Sequence, residues 1–326
     1  MTDGSPNEDL GYLLDADRWE DRVYETKHDC LNQWLKRKHA TDRCGRRTLN
    51  TYSRTAARFF HHVYPGTHPS ELIVGDIEVW IVELSDRDLA ANSKRRYVES
   101  LSSFYDWAMK RPRFEDITGN PAAVVLEELQ KVNRERPESA TWENGRKIIN
   151  QLSDPRDKAV AVLLAKTGCR VDEAVSVKEE DLYLDEGYIR LEDRKGSVST
   201  RNPVDQETIK ILRRAQAFSG SDTDWVFDST KSGHIGKKRI RRKVRNAAVD
   251  AGVMQEGEQR WHHKFTPHYY RTVWTTLVRN YRGAMPDRFV GYLRGDKGDI
   301  KDHYTSHQPH NQIREEYLEV IKPLGL

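Results

Sequence analysis

Cysteine is scarce, with only Cys30, Cys44 and Cys169 among 326 residues. None is spaced as a disulfide pair or as half of a zinc site, so the thiols read as reduced and a disulfide scaffold is ruled against. No apolar run approaches the roughly 18 residues that a membrane span needs, and no signal-peptide pattern is present. The expectation is a soluble, cytoplasmic protein with no membrane partner. A glycine-rich phosphate loop is missing too, which argues against ATP use. Net charge is small, 54 Lys and Arg against 51 Asp and Glu, or +3. Bulk charge therefore does not select a polyanionic partner, and only local clustering could.

The chain does have aromatics: 8 Trp, 14 Tyr and 8 Phe. With a mean hydropathy of −0.84 the sequence is polar, but disordered chains lack such residues, so it should fold. Its length allows two domains. Residues 1–22 are acidic and polar and read as a flexible lead-in. Residues 23–121 carry helical spacing, with apolar positions at Cys30, Leu31, Trp34 and Leu35, then Leu49, Tyr52, Ala56, Phe59 and Phe60, then Tyr97, Leu101, Phe104 and Ala108. Asn92 or Ser93 is a ready N-cap for the last of these helices. Residues 122–138 read as a polar linker, and 139–326 as a second domain. Gly168 stops an apolar helix there, and "GYIRLEDR" and "STRNPV" read as two strands around a Lys-Gly-Ser turn. The predicted fold is mainly α: a small helical domain, then an α+β domain with a small antiparallel sheet.

Cations occupy places where a helix dipole disfavours them. Arg46 and Arg47 open one helix of the small domain; Lys94, Arg95 and Arg96 lie in the first turn of another. Such positions suit phosphate contacts, although a solvated basic face is the plainer alternative. The helix beginning "GKKRIRRKVRNAAVDAGV" is the strongest signal of this kind. Lys237, Lys238, Arg239, Arg241 and Arg242 leave only Ile240 and Val244 to face inward, a charge density that calls for phosphates.

Four further places carry unusual chemistry. Arg170 follows a glycine turn in "TGCRVDEAV", where a surface pair with Glu173 or Asp172 is the bland reading. Lys195 sits at a hairpin tip, where it could simply be solvated. His268 and Arg271 share the first turn of the helix in "FTPHYYRTVWTT". Tyr304 lies in "DHYTS", outside any apolar spacing, and could be an ordinary half-buried tyrosine. Together they make sense as one site. Two guanidiniums can clamp the oxygens of a phosphodiester, and their positive charge replaces a metal ion on the developing phosphorane. A histidine can move a proton near neutrality, and a lysine can protonate a departing alkoxide. A tyrosine becomes a nucleophile once its proton is removed.

The order Arg, Lys, His-x-x-Arg, Tyr resembles the tyrosine recombinase, or phage integrase, family, its Xer-like branch included. "TGCRVDEAVSVKEEDL" is similar to its first arginine box and "RKGSVSTRNPV" to its hairpin, with a proline eight residues after the lysine. "TPHYYRTVWTT" is similar to the His-x-x-Arg box, "DHYTS" to the nucleophile segment, and the stretch ending "GNPA" to the N-terminal core-binding, SAM-like domain. The likeness covers roughly 24–320 and implies a catalytic domain of tyrosine-recombinase type. It implies a site-specific DNA recombinase or integrase that cleaves and rejoins double-stranded DNA through a 3′-phosphotyrosyl link, with no cofactor and no metal. Arg170, Lys195, His268, Arg271 and Tyr304 would form its catalytic set, with four protomers assembled on DNA. One segment departs from the pattern. Where the family has a second histidine or tryptophan, "GYLRGDKGDIKDHY" has Asp296, which cannot donate a hydrogen bond to phosphate while ionised. Either Asp296 holds another catalytic residue, or Arg294 or Lys297 substitutes. This Arg-Gly-Asp form resembles archaeal members.

Two other readings compete. The departure at Asp296 leaves open a DNA-binding protein of the same fold with weakened catalysis. A metal-dependent nuclease would need ligands such as His262, His263 and His268, or His303, His307 and His310, but no recognised spacing completes them. Near the C-terminus, Ile313, Tyr317, Val320 and Ile321 fall on one stripe of a short helix. The resemblance implies that this stripe docks on a neighbouring protomer; the stripe itself equally suits the chain's own body.

Overall fold

The computed structural model describes residues 12–14, 23–41, 45–87, 89–129, 141–192, 199–220, 223–229, 233–256, 265–280, 285–296 and 310–326. The chain divides into two compact units, residues 1–134 and 135–326.

The first unit begins with strand β1 (Tyr12–Leu14), antiparallel to β2 (Val23–Tyr24). Part of the expected flexible lead-in is thus paired to the domain. Helices α1 (Asp29–Thr41), α2 (Arg46–Ala57), α3 (Val74–Asp86), α4 (Ala91–Ala108) and α5 (Pro121–Glu128) follow. Helix α2 continues as a π-turn over Arg58–Val63, which turns both Phe59 and Phe60 into the core. The stripes read from the sequence converge there: Leu31, Trp34, Leu35, Leu49, Phe59, Leu101 and Phe104 form one buried cluster. Two expectations need correction. Helix α4 starts at Ala91 after Ala90, with no side-chain cap, so neither Asn92 nor Ser93 caps it. The expected linker begins as α5, whose Ala122 and Val125 are buried in the same core. Asn120 caps that helix, its Oδ1 accepting the Ala123 N–H at 2.9 Å, and Pro121 occupies the first position, where a missing N–H costs nothing.

The second unit opens with α6 (Trp142–Asn150), capped by Thr141, and α7 (Pro155–Thr167), capped by Asp154. Helix α7 is buried on all sides from Ala159 to Thr167 because it runs through the middle of the core. Gly168 ends it at φ +62°, and a Cβ there would meet the Trp274 ring at 2.4 Å, so both backbone and packing demand glycine. The short α8 (Val171–Val175) leads to a three-stranded antiparallel sheet of β3 (Leu182–Tyr183), β4 (Tyr188–Leu191) and β5 (Thr200–Pro203), in that order. Helix α9 (Gln206–Gln216), the strand pair β6 (Asp228–Ser229) and β7 (Gly233–His234), and helix α10 (Lys237–Asp250) follow. Then come α11 (Pro267–Asn280), α12 (Asp287–Arg294) and α13 (His310–Val320).

Helix α13 packs within its own unit. Ile313, Tyr317 and Val320 join Trp274, Val278, Phe289 and Leu293 in a buried cluster. The docking on a neighbour that the resemblance implied is therefore not how this stripe is covered here.

Candidate active site

Three features of the second unit build the site. Gly168 turns the chain out of α7, and Arg170 becomes the residue before α8. Its backbone N–H donates to Glu173 Oε2 and its Nη1 to Glu173 Oε1, both at 2.8 Å. The bland pairing with Glu173 is real, yet it also fixes the guanidinium at the edge of a cleft. Helix α11 begins with Pro267 and places His268 on the same cleft and Arg271 behind it. Arg271 is buried, and both its terminal nitrogens are committed. Nη1 donates to Gly168 O (2.7 Å) and Arg294 O (3.1 Å); Nη2 donates to Arg294 O (3.1 Å) and Asp296 Oδ1 (2.7 Å). Arg170 Nη2 lies 3.7 Å from the same Asp296 oxygen.

The Asp296 carboxylate holds Arg271 through Oδ1. Arg294 is close by as well, with its Nε 3.1 Å from Asp296 Oδ2. Burial lowers the Arg271 pKa to about 10, with the Arg294 and Arg170 charges adding to the effect, so the group stays cationic at neutral pH. His268 is exposed on the cleft, with its ring partly desolvated by the neighbouring walls. That partial desolvation, then the Arg271, Arg294 and Arg170 charges, lower its pKa from the usual 6.5, so the imidazole is neutral at pH 7.

The cleft has a volume of about 630 Å³ and is lined by Arg170, His268 and one face of α10. Helix α10 buries Ile240, Val244, Ala247 and Ala248 and turns Lys238, Arg241, Arg242 and Arg245 toward the cleft. Arg241 and Arg242 have no carboxylate partner among the described residues. Arg245 was not singled out in the sequence, although its spacing of four and three from Arg241 and Arg242 placed it on their face.

Other predicted cations are committed elsewhere. Arg239 donates from Nε to Asp157 Oδ1 at 2.8 Å and from Nη2 to Asp154 Oδ2 at 2.7 Å, anchoring α10 to the start of α7. Lys237 pairs with Asp172 at 2.8 Å. In the first unit, Arg95 donates to the carbonyls of Leu126 and Leu129 at the end of α5 and pairs with Glu99. Lys94 donates to Ser85 Oγ at 2.9 Å, and Arg96 projects into solvent. Arg46 and Arg47 are the first residues of α2, and their side chains lie outside the described part. Lys195, Tyr304, Lys297, His262, His263, His303 and His307 also lie outside the described residues. Among those described, no group of three His, Cys, Asp or Glu side chains could hold a metal, and no helix is long and apolar enough to cross a membrane.

Residues 142–308 match the model of the phage integrase family, and residues 31–113 that of the phage integrase N-terminal SAM-like domain. Tyrosine recombinase XerD of Chlorobaculum tepidum is 28% identical over 267 residues, covering 77% of this chain and 82% of that protein. A probable integrase/recombinase protein of Methanocaldococcus jannaschii is 26% identical over 280 residues, 80% of this chain and 79% of that one. The fold is shared with a lambda integrase dimer bound to a COC′ core site, at a TM-score of 0.65, 20% identity, and coverage of 90% and 78%. It is shared equally with a lambda integrase tetramer bound to a Holliday junction, at a TM-score of 0.65, 20% identity, and coverage of 86% and 79%.

Proposed function

The chain belongs to the phage integrase family as a tyrosine-type site-specific recombinase, and from that premise we propose that Tyr304 cuts DNA by forming a 3′-phosphotyrosyl link within the site described above. The observation that carries this reading is the convergence of Arg170 and Arg271 on a single anion, the Asp296 carboxylate, beside a neutral His268 and a cleft walled by cations. A phosphodiester offers the same guanidiniums the same kind of acceptor.

In the proposed step, His268 takes the phenolic proton as the Tyr304 oxygen attacks phosphorus. The bond to the 5′ oxygen breaks, and Lys195 protonates that oxygen as it leaves. The bond energy is kept in the tyrosyl phosphodiester, so attack by another 5′ hydroxyl reverses the chemistry without a nucleotide. Arg170 and Arg271 neutralise the charge that grows on the non-bridging oxygens; removal of one such donor typically costs about 10²–10³ in rate. Arg241, Arg242, Arg245 and Lys238 bind the flanking phosphates, and Arg96, Arg46 and Arg47 of the first unit serve the same use. The partner is double-stranded DNA. Lambda integrase, of the same fold, is seen as a dimer bound to a core site and as a tetramer bound to a Holliday junction, which supports self-association on DNA and, more specifically, four protomers per synapse.

Incubating the protein with a nicked duplex of its attachment DNA should give a covalent adduct on a denaturing gel, unaffected by EDTA. Tyr304→Phe should bind the duplex and give none. An adduct from Tyr304→Phe removes Tyr304 as nucleophile. DNA binding without any wild-type adduct favours a binding protein of weakened catalysis, and loss of the adduct in EDTA favours a metal-dependent nuclease.

A further inference from the structure

Three guanidiniums share one carboxylate at this site, and the third belongs to a residue that the proposed chemistry does not use. Helix α12 ends at Arg294. Gly295 follows in the left-handed region at φ +61°, and the chain folds back so that Asp296 N–H donates to Gly291 O at 3.1 Å. This turn lays the Arg294 and Asp296 side chains beside each other. Strand β5 fixes the turn from below: Asn202 Nδ2 donates to Leu293 O at 2.9 Å and the Arg201 N–H to Tyr292 Oη at 3.1 Å. The position of Arg294 is therefore set by the sheet and not by its partner carboxylate.

The contacts of Arg294 are unlike those of a satisfied ion pair. Its Nε is 3.1 Å from Asp296 Oδ2, yet the angle is off that of a hydrogen bond, and this buried nitrogen has no hydrogen-bond acceptor among the described residues. Such donors are rare in a folded chain unless a ligand supplies what is missing. Meanwhile Arg271 has both hydrogens of Nη1 and both of Nη2 engaged, three of the four bonds going to backbone carbonyls that cannot leave. The bond from Nη2 to Asp296 is the one that another oxyanion can take over. Asp296 is 38% exposed, so its side chain has solvent to turn into. The three arginines also act together on the nearby His268 imidazole, whose pKa each of them lowers.

We propose that Arg294 is a third phosphate-binding guanidinium of this site, and that the Asp296 carboxylate holds the position which a phosphate oxygen takes between Arg170 and Arg271. The bound phosphodiester displaces Asp296 and inherits all three cations. This rests on the phosphoryl-transfer reading above and adds to it both a residue that touches the phosphate and an internal anion that must give way.

The test measures adduct formation by the full chain on the nicked attachment duplex, with DNA retention and thermal melting as controls. Arg294→Gln should bind DNA and react about 10²-fold more slowly, the loss typical of one oxyanion donor. Asp296→Asn should react several-fold faster than wild type. The double variant Arg294→Gln/Asp296→Asn should react several-fold faster than Arg294→Gln, because the competing carboxylate is gone, and still far below wild type. Recovery of the double variant to the wild-type rate would mean that Arg294 merely neutralises Asp296, and would overturn the proposal. So would a rate for Arg294→Gln within threefold of wild type. If Arg294→Gln does not fold, Arg294→Lys keeps the charge without the fork, and a wild-type rate from it is equally fatal. A wild type that forms no adduct overturns the functional reading and this inference with it; a reactive wild type with an indifferent Arg294 overturns this inference alone.

Discussion

Glu173 grips Arg170 twice, accepting its backbone N–H and its guanidinium Nη1 on separate carboxylate oxygens, each at 2.8 Å. One buried carboxylate therefore caps the start of α8 and aims the arginine at the cleft. Glu173→Ala should lose both effects: about 1–3 kcal/mol of stability for the orphaned donors, and at least roughly tenfold in adduct formation. Glu173→Gln keeps one acceptor and should regain part of the stability but little of the rate. Urea melts and adduct kinetics separate the two. A Glu173→Ala protein that cuts at the wild-type rate shows that Arg170 needs no such aim.

Helix α10 carries cations of two kinds, and salt dependence tells them apart. Arg241 and Arg242 line the cleft without carboxylate partners among the described residues, so replacing both by Ala should reduce the slope of log K against log salt by about 1.8, at about 0.9 per phosphate contact. Arg239 is held by Asp157 and Asp154. Arg239→Ala should leave the slope unchanged and lower stability by roughly 3 kcal/mol, because the Asp157 carboxylate is left buried and unpaired. Equal slope losses from both variants would refute the distinction.

This contrast marks the limit of what the sequence could reveal. Its periodicities located most helices and core stripes, since burial of one face dictates spacing. The run from Lys237 to Arg245, however, offers the same residue type on every face, and which arginine meets Asp154 and Asp157 depends on where α7 ends up. Arg95 is a similar case, drawn to the carbonyl end of a helix that was taken for linker. That helix is signalled by Asn120 and Pro121, an N-cap followed by a first-turn proline. Strands of two or three residues, such as β1 and β2, carry too little alternation to be seen. In the site, Arg170, His268 and Arg271 were legible from their spacing. The placement of Arg294 was not, because it follows from the turn at Gly295 and the grip of β5.

His268 gives a pH dependence of defined sign. Its folded pKa lies below the 6.5 of the unfolded chain. Above 6.5 both states are neutral and its contribution to stability is fully present; as pH falls below 6.5 the unfolded chain takes the proton first, and stability declines until the folded pKa is passed. Adduct formation, which needs the neutral ring, should be flat from pH 7 to 8 and fall only at pH values below 6.5. Arg170→Ala should move the His268 titration upward, as followed by NMR of the imidazole protons. A His268 that titrates above 6.5 in the wild type contradicts both expectations.

The C-terminal segment is expected to be a structural part of the second unit. Lys166 is fully buried, and its Nζ meets Asp205 Oδ2 at 2.5 Å, Glu207 Oε2 at 2.9 Å and the Lys322 carbonyl at 2.8 Å. Glu207 in turn accepts the N–H groups of Leu324 and Leu326, and Trp142 Nε1 donates to Pro323 O. Upstream of this latch, α13 buries Ile313, Tyr317 and Val320 against Trp274 and Phe289. Burial of three such side chains stabilises by about 4.5–9 kcal/mol in all, at roughly 1.5–3 each, which is comparable to the whole stability of a domain. Deleting residues 310–326 should therefore leave the second unit without cooperative melting, while the first unit, with its separate core, keeps its own transition. Lys166→Met should be the milder lesion, costing about 3–5 kcal/mol through the unpaired Asp205 and Glu207. Calorimetry reads both. If the truncated chain melts within a few degrees of wild type and loses only cooperative pairing of DNA sites, the segment serves a neighbouring protomer instead, and the packing seen here is not what holds the unit together.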